Sequence, residues 1–165
     1  MEALTVSTTI AKPREEVFTY LADIANHPEF NDHYLVDWRL TREDSFGQGA
    51  GARFTVDVPP PRQRYTNADV TLIDVQAPWR LVLAGRGGKF NRVRLRAVYE
   101  LQPSHGGTRV DFTIETKPKT LTDRLVESFG MRGWFKRKAN KAMRRLRSIL
   151  EDNEGRGQRA TIAGR

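Results

Sequence analysis

Alternating hydrophobic and polar residues dominate the first two thirds of the chain. Seven segments show the pattern: residues 2–10, 34–40, 52–58, 65–75, 79–85, 91–101 and 108–116. A two-residue period rich in β-branched and aromatic side chains predicts half-buried strands. Breaks at Ala77-Pro78, Gly87-Gly88 and 104–107 separate the later segments. Such short breaks predict hairpins, and therefore an antiparallel sheet of about seven strands.

Two other regions carry a helical pattern. Pro13 begins the first, with Glu15 and Glu16 in its first turn, and Pro28 ends it or the short helix that follows. The second region, from Thr120 to about Asp152, is predicted to be one long amphipathic helix. Its apolar residues recur every three or four positions, at Ala139, Ala142, Met143, Leu146, Ile149 and Leu150.

The opposite face of this long helix is strongly basic. The net charge of +8 divides unevenly: residues 1–120 carry 16 Lys and Arg against 15 Asp and Glu, and residues 121–165 carry 12 against 5. Such asymmetry indicates either an anionic partner or a solvated helix face. On a projection at about 100° per residue, Trp134 falls among these cations, which suits contact with an anionic membrane. A kink at Gly130 or Gly133 that turns the indole inward is the alternative. The residues predicted to contact an anionic surface are Trp134, Lys136, Arg137, Lys138, Lys141, Arg144, Arg145 and Arg147.

Length and composition limit the remaining possibilities. A chain of 165 residues fits one domain, which we place at residues 1–153, followed by a basic tail at 154–165 that we expect to be disordered. The chain has no apolar run long enough to span a bilayer and no signal-peptide pattern at its N-terminus. We therefore expect a cytoplasmic location, with peripheral membrane contact as an addition. The chain has no cysteine, which excludes disulfides and thiolate chemistry.

Few residues offer chemistry. His27, beside Pro28, is interpreted as a surface or helix-terminal imidazole, and His33 lies at the entry to the second strand. Neither has zinc-site spacing, so we expect no metal and no cofactor. The glycines at 47, 49 and 51 precede a strand rather than a helix, which favours a tight turn over a phosphate loop. No hydrolase triad pattern is present, and we assign no catalytic residue.

The order of elements and several short segments resemble the START-like superfamily, also called the SRPBCC or helix-grip fold. Within it, the chain is most similar to the polyketide cyclase/dehydrase and lipid transport group. The resemblance covers about residues 2–152 and is carried by Ala11–Asp23 with Pro28 and Phe30, Gly47–Gly49, Ala77–Leu81, Gly107–Val110 and Leu146–Glu151. It implies an α+β fold in which a curved sheet surrounds the terminal helix and encloses a largely apolar cavity.

The resemblance implies two functions for such a cavity. One is binding or transport of a lipid, isoprenoid or polyketide-like molecule; the other is a cyclase, aromatase or dehydratase reaction. In the second case Tyr34, Tyr65, Tyr99 or Arg132 would stabilise an enolate. Binding of nucleic acid through the basic helix is a third, weaker alternative.

Strand alternation and the apolar stripe of the long helix predict which residues line the cavity. We expect a dry cavity of a few hundred Å³, as is typical of small-molecule sites. Arg132 projects into the apolar sector of the helix, so we expect it at the cavity rim as an anchor for a ligand head group. The predicted ligand-binding residues are Tyr34, Trp38, Phe54, Val56, Val70, Leu83, Leu95, Phe112, Ile114, Phe129, Arg132, Phe135 and Met143, with Ala139 beside them on the helix.

Overall fold

Seven antiparallel strands form one curled sheet in the computed structural model, which describes residues 1–59, 66–118 and 131–162. The order of the strands across the sheet is β1-β7-β6-β5-β4-β3-β2. The strands are β1 (Leu4–Ile10), β2 (Leu35–Leu40), β3 (Gly51–Val56), β4 (Asn67–Gln76), β5 (Arg80–Gly87), β6 (Val93–Ser104) and β7 (Gly107–Pro118). Strands β2 to β7 pair with their sequence neighbours, as the short breaks predict. The two edge strands, β1 and β2, are joined by helices.

The register of the sheet places apolar residues from neighbouring strands in line on its inner face. Val6 of β1 lies opposite Phe112 of β7, which lies opposite Tyr99 of β6. Leu83 of β5 lies opposite Ala97 of β6 in the same way. Because side chains alternate between the two faces of a strand, each such pair fixes which residues of its two strands point inward, up to the register shifts after Val36 and Leu72. The inner face is therefore apolar across the width of the sheet.

Among the described residues, three α-helices accompany the sheet: α1 (Arg14–Ala22), α2 (His27–Asn31) and α3 (Met131–Asp152). Between α1 and α2, the Asp23 carboxylate accepts a hydrogen bond from the Ala25 backbone N–H at 3.1 Å and begins a single 3-10 turn. Helix α3 lies against the sheet through the predicted stripe. Its buried members are Ala139, Ala142, Met143, Leu146 and Ile149. The predicted helix began at Thr120, and residues 120–130 lie outside the described residues.

The glycine-rich segment before β3 is a turn, as predicted. Gly47 and Gly49 have φ values of +74° and +92°, which glycine adopts most readily. The Gly47 N–H donates to the Ala22 carbonyl at 2.9 Å, and the Gly49 N–H donates to the Leu72 carbonyl at 2.8 Å. The segment therefore connects the end of α1 to the sheet.

The chain after α3 packs on the domain through residue 162, where we expected a disordered tail from its composition. The Gly157 N–H donates to the Glu29 carbonyl at 2.9 Å, and the Ala160 N–H donates to the Ala25 carbonyl at 2.8 Å. Arg156 lies 3.1 Å from the Glu29 carboxylate, whose side chain is only 4% exposed. Composition misleads here because Arg156 meets the Glu29 carboxylate, and because Gly157 allows its backbone to approach the Glu29 backbone closely.

Gly157 provides a test of this packing. A Cβ at this position would lie 2.9 Å from the Glu29 carbonyl oxygen and 2.6 Å from the Asp32 Oδ2. We therefore expect Gly157→Ala to lower the free energy of unfolding by about 1–3 kcal/mol through overpacking and to reduce hydrogen-exchange protection at the Ala160 N–H. The neighbouring exposed variant Gln158→Ala is the control and should change neither. Undiminished protection at Ala160 in Gly157→Ala would contradict the packed segment.

Candidate ligand-binding cavity

A cavity of about 70 Å³ lies between the inner face of the sheet and the first turns of α3. Strands β2 to β7 supply most of its wall, while α2 closes one side and Phe135 of α3 another. Its lining residues are His27, Asn31, Tyr34, Leu35, Trp38, Phe54, Val56, Ala68, Val70, Leu83, Leu95, Ala97, Tyr99, Phe112, Ile114 and Phe135. None of these residues is a Lys, Arg, Asp or Glu. We call this space the inner cavity.

A second cavity of about 160 Å³ adjoins the first toward the β5–β6 turn. The two share four lining residues: Val56, Ala68, Leu95 and Phe135. The second is bounded further out by the Gly87-Gly88 turn and by Met131 at the start of α3. We call it the outer cavity. Because Phe135 contacts both, its side chain lies at the boundary between them.

Each cavity is smaller than the few hundred Å³ expected from the sequence. The aromatic side chains of the wall occupy much of the interior. The Trp38 and Phe54 rings stack at 4.6 Å between centroids, and the Tyr99 and Phe112 rings lie 4.7 Å apart. Strand alternation reveals which residues point inward, but it does not reveal how fully their rings pack together.

Ten of the thirteen predicted ligand-binding residues line the inner cavity. They are Tyr34, Trp38, Phe54, Val56, Val70, Leu83, Leu95, Phe112, Ile114 and Phe135. Phe129 lies outside the described residues. Met143 is 2% exposed and belongs to the packed core, because it lies two turns beyond Phe135 along α3, and it lines neither cavity. The other lining residues are outside the predicted set: His27, Asn31, Leu35, Ala68, Ala97 and Tyr99. Alternation marks Ala68, Ala97 and Tyr99 as inward-facing. Nothing in the sequence marks the two α2 residues, His27 and Asn31, as cavity residues.

Arg132 is not a cavity residue, contrary to expectation. Its side chain is 52% exposed, and its guanidinium donates at 3.3 Å to the Glu2 and Ala3 carbonyls just before β1. Arg132 lies in the first turn of α3, beside the edge of the sheet. In this turn, the apolar sector of the helix faces the backbone next to the edge strand β1 and not the cavity. Its proposed role as an anchor for a ligand head group is therefore wrong.

His27 is a buried cavity residue rather than the surface imidazole we expected. It is 2% exposed, and its Nε2 lies 2.8 Å from the Leu21 carbonyl oxygen. Burial lowers the pKa of His27 to about 4, against the opposing effects of the Leu21 carbonyl and the Asp23 carboxylate. A carbonyl can only accept, so Nε2 carries the proton and Nδ1 is a hydrogen-bond acceptor in the neutral ring.

Besides His27, the inner wall holds four polar side chains: Asn31, Tyr34, Trp38 and Tyr99. Burial raises the pKa of Tyr34 above its ordinary range and that of Tyr99 well above it, so both hydroxyls are neutral. The Trp38 indole Nε1–H is buried and has no hydrogen-bond acceptor among the described residues. An unpaired buried donor of this kind costs about 1–3 kcal/mol. The inner cavity is therefore apolar and uncharged, with a few neutral hydrogen-bonding groups.

The cations predicted to face an anionic surface divide into those that bind groups within the fold and those that are exposed without an ion pair. Lys138 donates to the His33 carbonyl at 3.0 Å, and Arg147 pairs with Glu151 at 2.9 Å. Arg145 is a structural residue, since its guanidinium binds the Asp32 carboxylate and donates at 3.0 Å to the carbonyls of Glu29 and Gly155. The four exposed cations without an ion pair among the described contacts are Lys136, Arg137, Lys141 and Arg144.

Trp134 faces inward more than its helical projection indicates. It is half-buried, and its ring makes an edge contact with Tyr34 at 6.1 Å between centroids, while the Lys138 ammonium lies 5.5 Å from the indole. The indole therefore packs against the edge of the core, on the side of α3 that faces β2. The projection misleads because Tyr34, just before β2, extends the apolar surface beyond the sheet.

The model of one protein family matches residues 1–151, and its description is polyketide cyclase / dehydrase and lipid transport. The chain belongs to this family. Its curled sheet with a C-terminal helix and short helices after the first strand is the helix-grip arrangement of the START-like superfamily. The predicted fold class is therefore confirmed.

Solved structures share the fold at low sequence identity. KanY matches with a TM-score of 0.71 at 13% identity, over 90% of this chain and 96% of that one. TTHA0849 from Thermus thermophilus matches with a TM-score of 0.68 at 12% identity, over the same shares of the two chains. DynU16, from the dynemicin biosynthetic locus, matches with a TM-score of 0.62 at 15% identity, over 95% of this chain and 50% of that one. No curated protein matches by sequence.

In residues 1–59, 66–118 and 131–162, no three His, Cys, Asp or Glu side chains come together as metal ligands. Over the same residues, no helix has both the length and the apolar character to cross a bilayer.

Buried, neutral His27 makes the stability of the fold depend on pH. Its folded pKa of about 4 lies below its ordinary value of 6.5, so the unfolded chain binds a proton first as pH falls. Stability is therefore full above pH 6.5 and decreases between pH 6.5 and 4, by about 3 kcal/mol for this group. His27→Gln keeps an N–H that can reach the Leu21 carbonyl and cannot titrate. We expect urea unfolding at pH 7 and pH 4.5 to show a smaller pH dependence in His27→Gln than in the parent; equal slopes would contradict a neutral buried His27.

Proposed function

We propose that the protein binds a neutral, apolar small molecule, such as a lipid, isoprenoid or polyketide-like compound, between its sheet and α3. The observation that carries the proposal is the inner cavity, whose aromatic and aliphatic wall continues into the outer cavity past Phe135. The description of the family, which includes lipid transport and polyketide cyclisation, supports the same class of ligand.

The volumes of the two cavities limit the size of the ligand. One water needs roughly 10–15 Å³ of such space, so the inner cavity of about 70 Å³ has room for about five to seven heavy atoms. That is the size of a single ring. The outer cavity of about 160 Å³ has room for roughly twice as many. A compact ring in the inner cavity with a chain or second ring in the outer one fits both.

The polar groups of the inner cavity favour a neutral ligand. None of the described Lys or Arg residues lines the inner cavity, so a carboxylate placed there would lose its hydration without gaining a cation from them. The Trp38 Nε1–H and the Tyr34 and Tyr99 hydroxyls can instead donate to a carbonyl or ether oxygen. We therefore place a neutral ring with an oxygen substituent in the inner cavity and the more apolar part of the ligand outside it.

His27 supports a second candidate function, a cyclase or dehydratase reaction in the same cavity. Its neutral ring presents Nδ1 as a proton acceptor, and Tyr99 lies in edge contact with it, 5.7 Å between ring centroids. A base beside a phenol is an arrangement that can remove a proton next to a ketone and stabilise the enolate. Turnover of poly-β-keto substrates that is lost in His27→Gln would establish this reaction.

The predicted contact of α3 with an anionic membrane stays a proposal, as does a cytoplasmic location with peripheral membrane contact. The cations of α3 that support such a contact are the exposed Lys136, Arg137, Lys141 and Arg144, since Lys138, Arg145 and Arg147 already bind acceptors within the fold. Nucleic-acid binding through this helix would use the same four cations.

Filling the inner cavity tests the proposed binding. Ala97 is 7% exposed, lies on the inner face of β6 opposite Leu83, and lines the inner cavity. Ala97→Leu adds three carbon atoms to this space, so we expect it to weaken binding of the neutral fluorescent probe N-phenyl-1-naphthylamine by about tenfold or more. Ala84→Leu makes the same change at a half-exposed outward position on β5 and is the matched control.

The result is read from probe fluorescence and from urea unfolding of each variant. Strong emission with the parent and Ala84→Leu, together with weak emission in a folded Ala97→Leu, would support binding in the inner cavity. Absence of probe binding by the parent chain, or equal binding by Ala97→Leu, would refute it.

A further inference from the structure

One cross-strand row of side chains on the outer face of the sheet is almost entirely basic. Its residues lie directly opposite one another in the register of six neighbouring strands, β2 to β7. The row is Arg39, Arg53, Asp69, Arg86, Arg94 and Lys117. Five cations and one carboxylate give it a net charge of +4. With strands about 4.8 Å apart, the row extends across about 24 Å.

The single acid in this row does not neutralise its centre. The Asp69 carboxylate accepts two hydrogen bonds from Arg53, at 2.6 and 3.1 Å. Lys117 lies 3.7 Å from Glu115 on its own strand. Arg86 and Arg94 are exposed, lie opposite each other, and have no ion pair among the described residues. Like charges directly opposite each other destabilise a sheet, and a bound anion would relieve that repulsion.

The concave surface beside these arginines can receive such an anion. An open depression of about 620 Å³ lies on the outer face of β4 to β7. Arg86, Arg94, Arg96 and Lys117 contribute its basic side chains, and Ile73, which is 48% exposed, contributes an apolar one. Cations and exposed apolar surface therefore lie together.

The β5–β6 turn carries an exposed aromatic ring next to the row. Phe90 lies between Arg86 and Arg94 in sequence and is 73% exposed, the most exposed of the large hydrophobic side chains described. The Arg92 guanidinium lies 5.0 Å and the Lys89 ammonium 5.4 Å from its ring centroid. Phe90 and Asn91 both have positive φ, a costly conformation for residues other than glycine. The turn thus holds an aromatic ring in solvent, among cations.

We propose that the basic row and the Phe90 turn form a docking surface for an anionic lipid membrane. Arginines and lysines would bind lipid phosphates, and the Phe90 ring would enter the interface between head groups and acyl chains. This surface is separate from α3, where membrane contact was expected from the sequence.

Its position favours a membrane over a nucleic acid. Gly87, Gly88 and Val93 flank the Phe90 turn and line the outer cavity, so a membrane bound there lies beside an apolar cavity. A single exposed aromatic side chain offers only one stacking platform for bases, whereas binding of single strands usually uses several. The inference does not depend on which ligand the cavity holds.

Vesicle co-sedimentation tests the docking surface with the full chain. The probes are vesicles of phosphatidylcholine alone and of phosphatidylcholine mixed with phosphatidylglycerol, each at low and high salt. Arg86→Gln/Arg94→Gln removes two charges from the row, and Phe90→Asn removes the ring while retaining a residue that tolerates positive φ. Arg137→Gln/Arg144→Gln removes two exposed charges from α3, the competing surface. Arg42→Gln/Arg109→Gln removes two exposed charges that lie outside both surfaces and is the matched control. Urea unfolding and N-phenyl-1-naphthylamine binding confirm that each variant is folded.

We expect the parent chain to bind the anionic vesicles at low salt and to dissociate at high salt. Arg86→Gln/Arg94→Gln should lower the partition coefficient about thirty-fold, at ~1 kcal/mol per basic residue. Phe90→Asn should lower it about tenfold by removing apolar contact, and the control Arg42→Gln/Arg109→Gln should stay within about twofold of the parent.

Three results would overturn the inference: no binding by the parent chain, a loss of binding confined to the α3 variant, or binding of a single-stranded oligonucleotide without binding of vesicles. None of these would affect the proposed binding in the cavity, which the fluorescent probe measures separately.

Discussion

The packing of α3 against the inner face of the sheet determines where this fold can hold a ligand. From Ala139 onward, the apolar stripe of the helix is buried, and Leu146 and Ile149 are among the least exposed residues of the core. Truncation of either to Ala would cost about 2–5 kcal/mol. Before Ala139 the helix is only half-buried, and Phe135 contacts both cavities. The tightly packed end fixes the helix, and the cavities lie at the other end.

Arg145 links this helix to the segments that close the inner cavity. Its guanidinium binds Asp32 just after α2 and the carbonyl of Gly155 after α3, and it donates to the Glu29 carbonyl within α2. Helix α2 has only five residues and positions His27 and Asn31 in the cavity wall. So short a helix has little stability of its own, and the contacts with Arg145 and with the chain after α3 hold it in place.

The fold and the cavity wall could be predicted because they depend on local periodicity. Alternation in β5 and β6 identifies Leu83 and Leu95 as inward-facing, and the hairpin breaks fix the order of the later strands. The roles of the charged residues could not be predicted in this way. A helical projection shows the direction of Arg132 but not that the Glu2 and Ala3 carbonyls lie within reach. It also places Arg145 on a solvated face, because the partners of Arg145 come from distant parts of the chain.

Native mass spectrometry of the gently purified chain shows whether the inner and outer cavities hold a neutral apolar molecule. We expect a bound species of low mass that is released by organic solvent, is neutral when identified, and is absent from Ala97→Leu but retained by Ala84→Leu. A bound species that persists unchanged in folded Ala97→Leu, or one identified as an acid, would show that the cavities do not hold such a molecule.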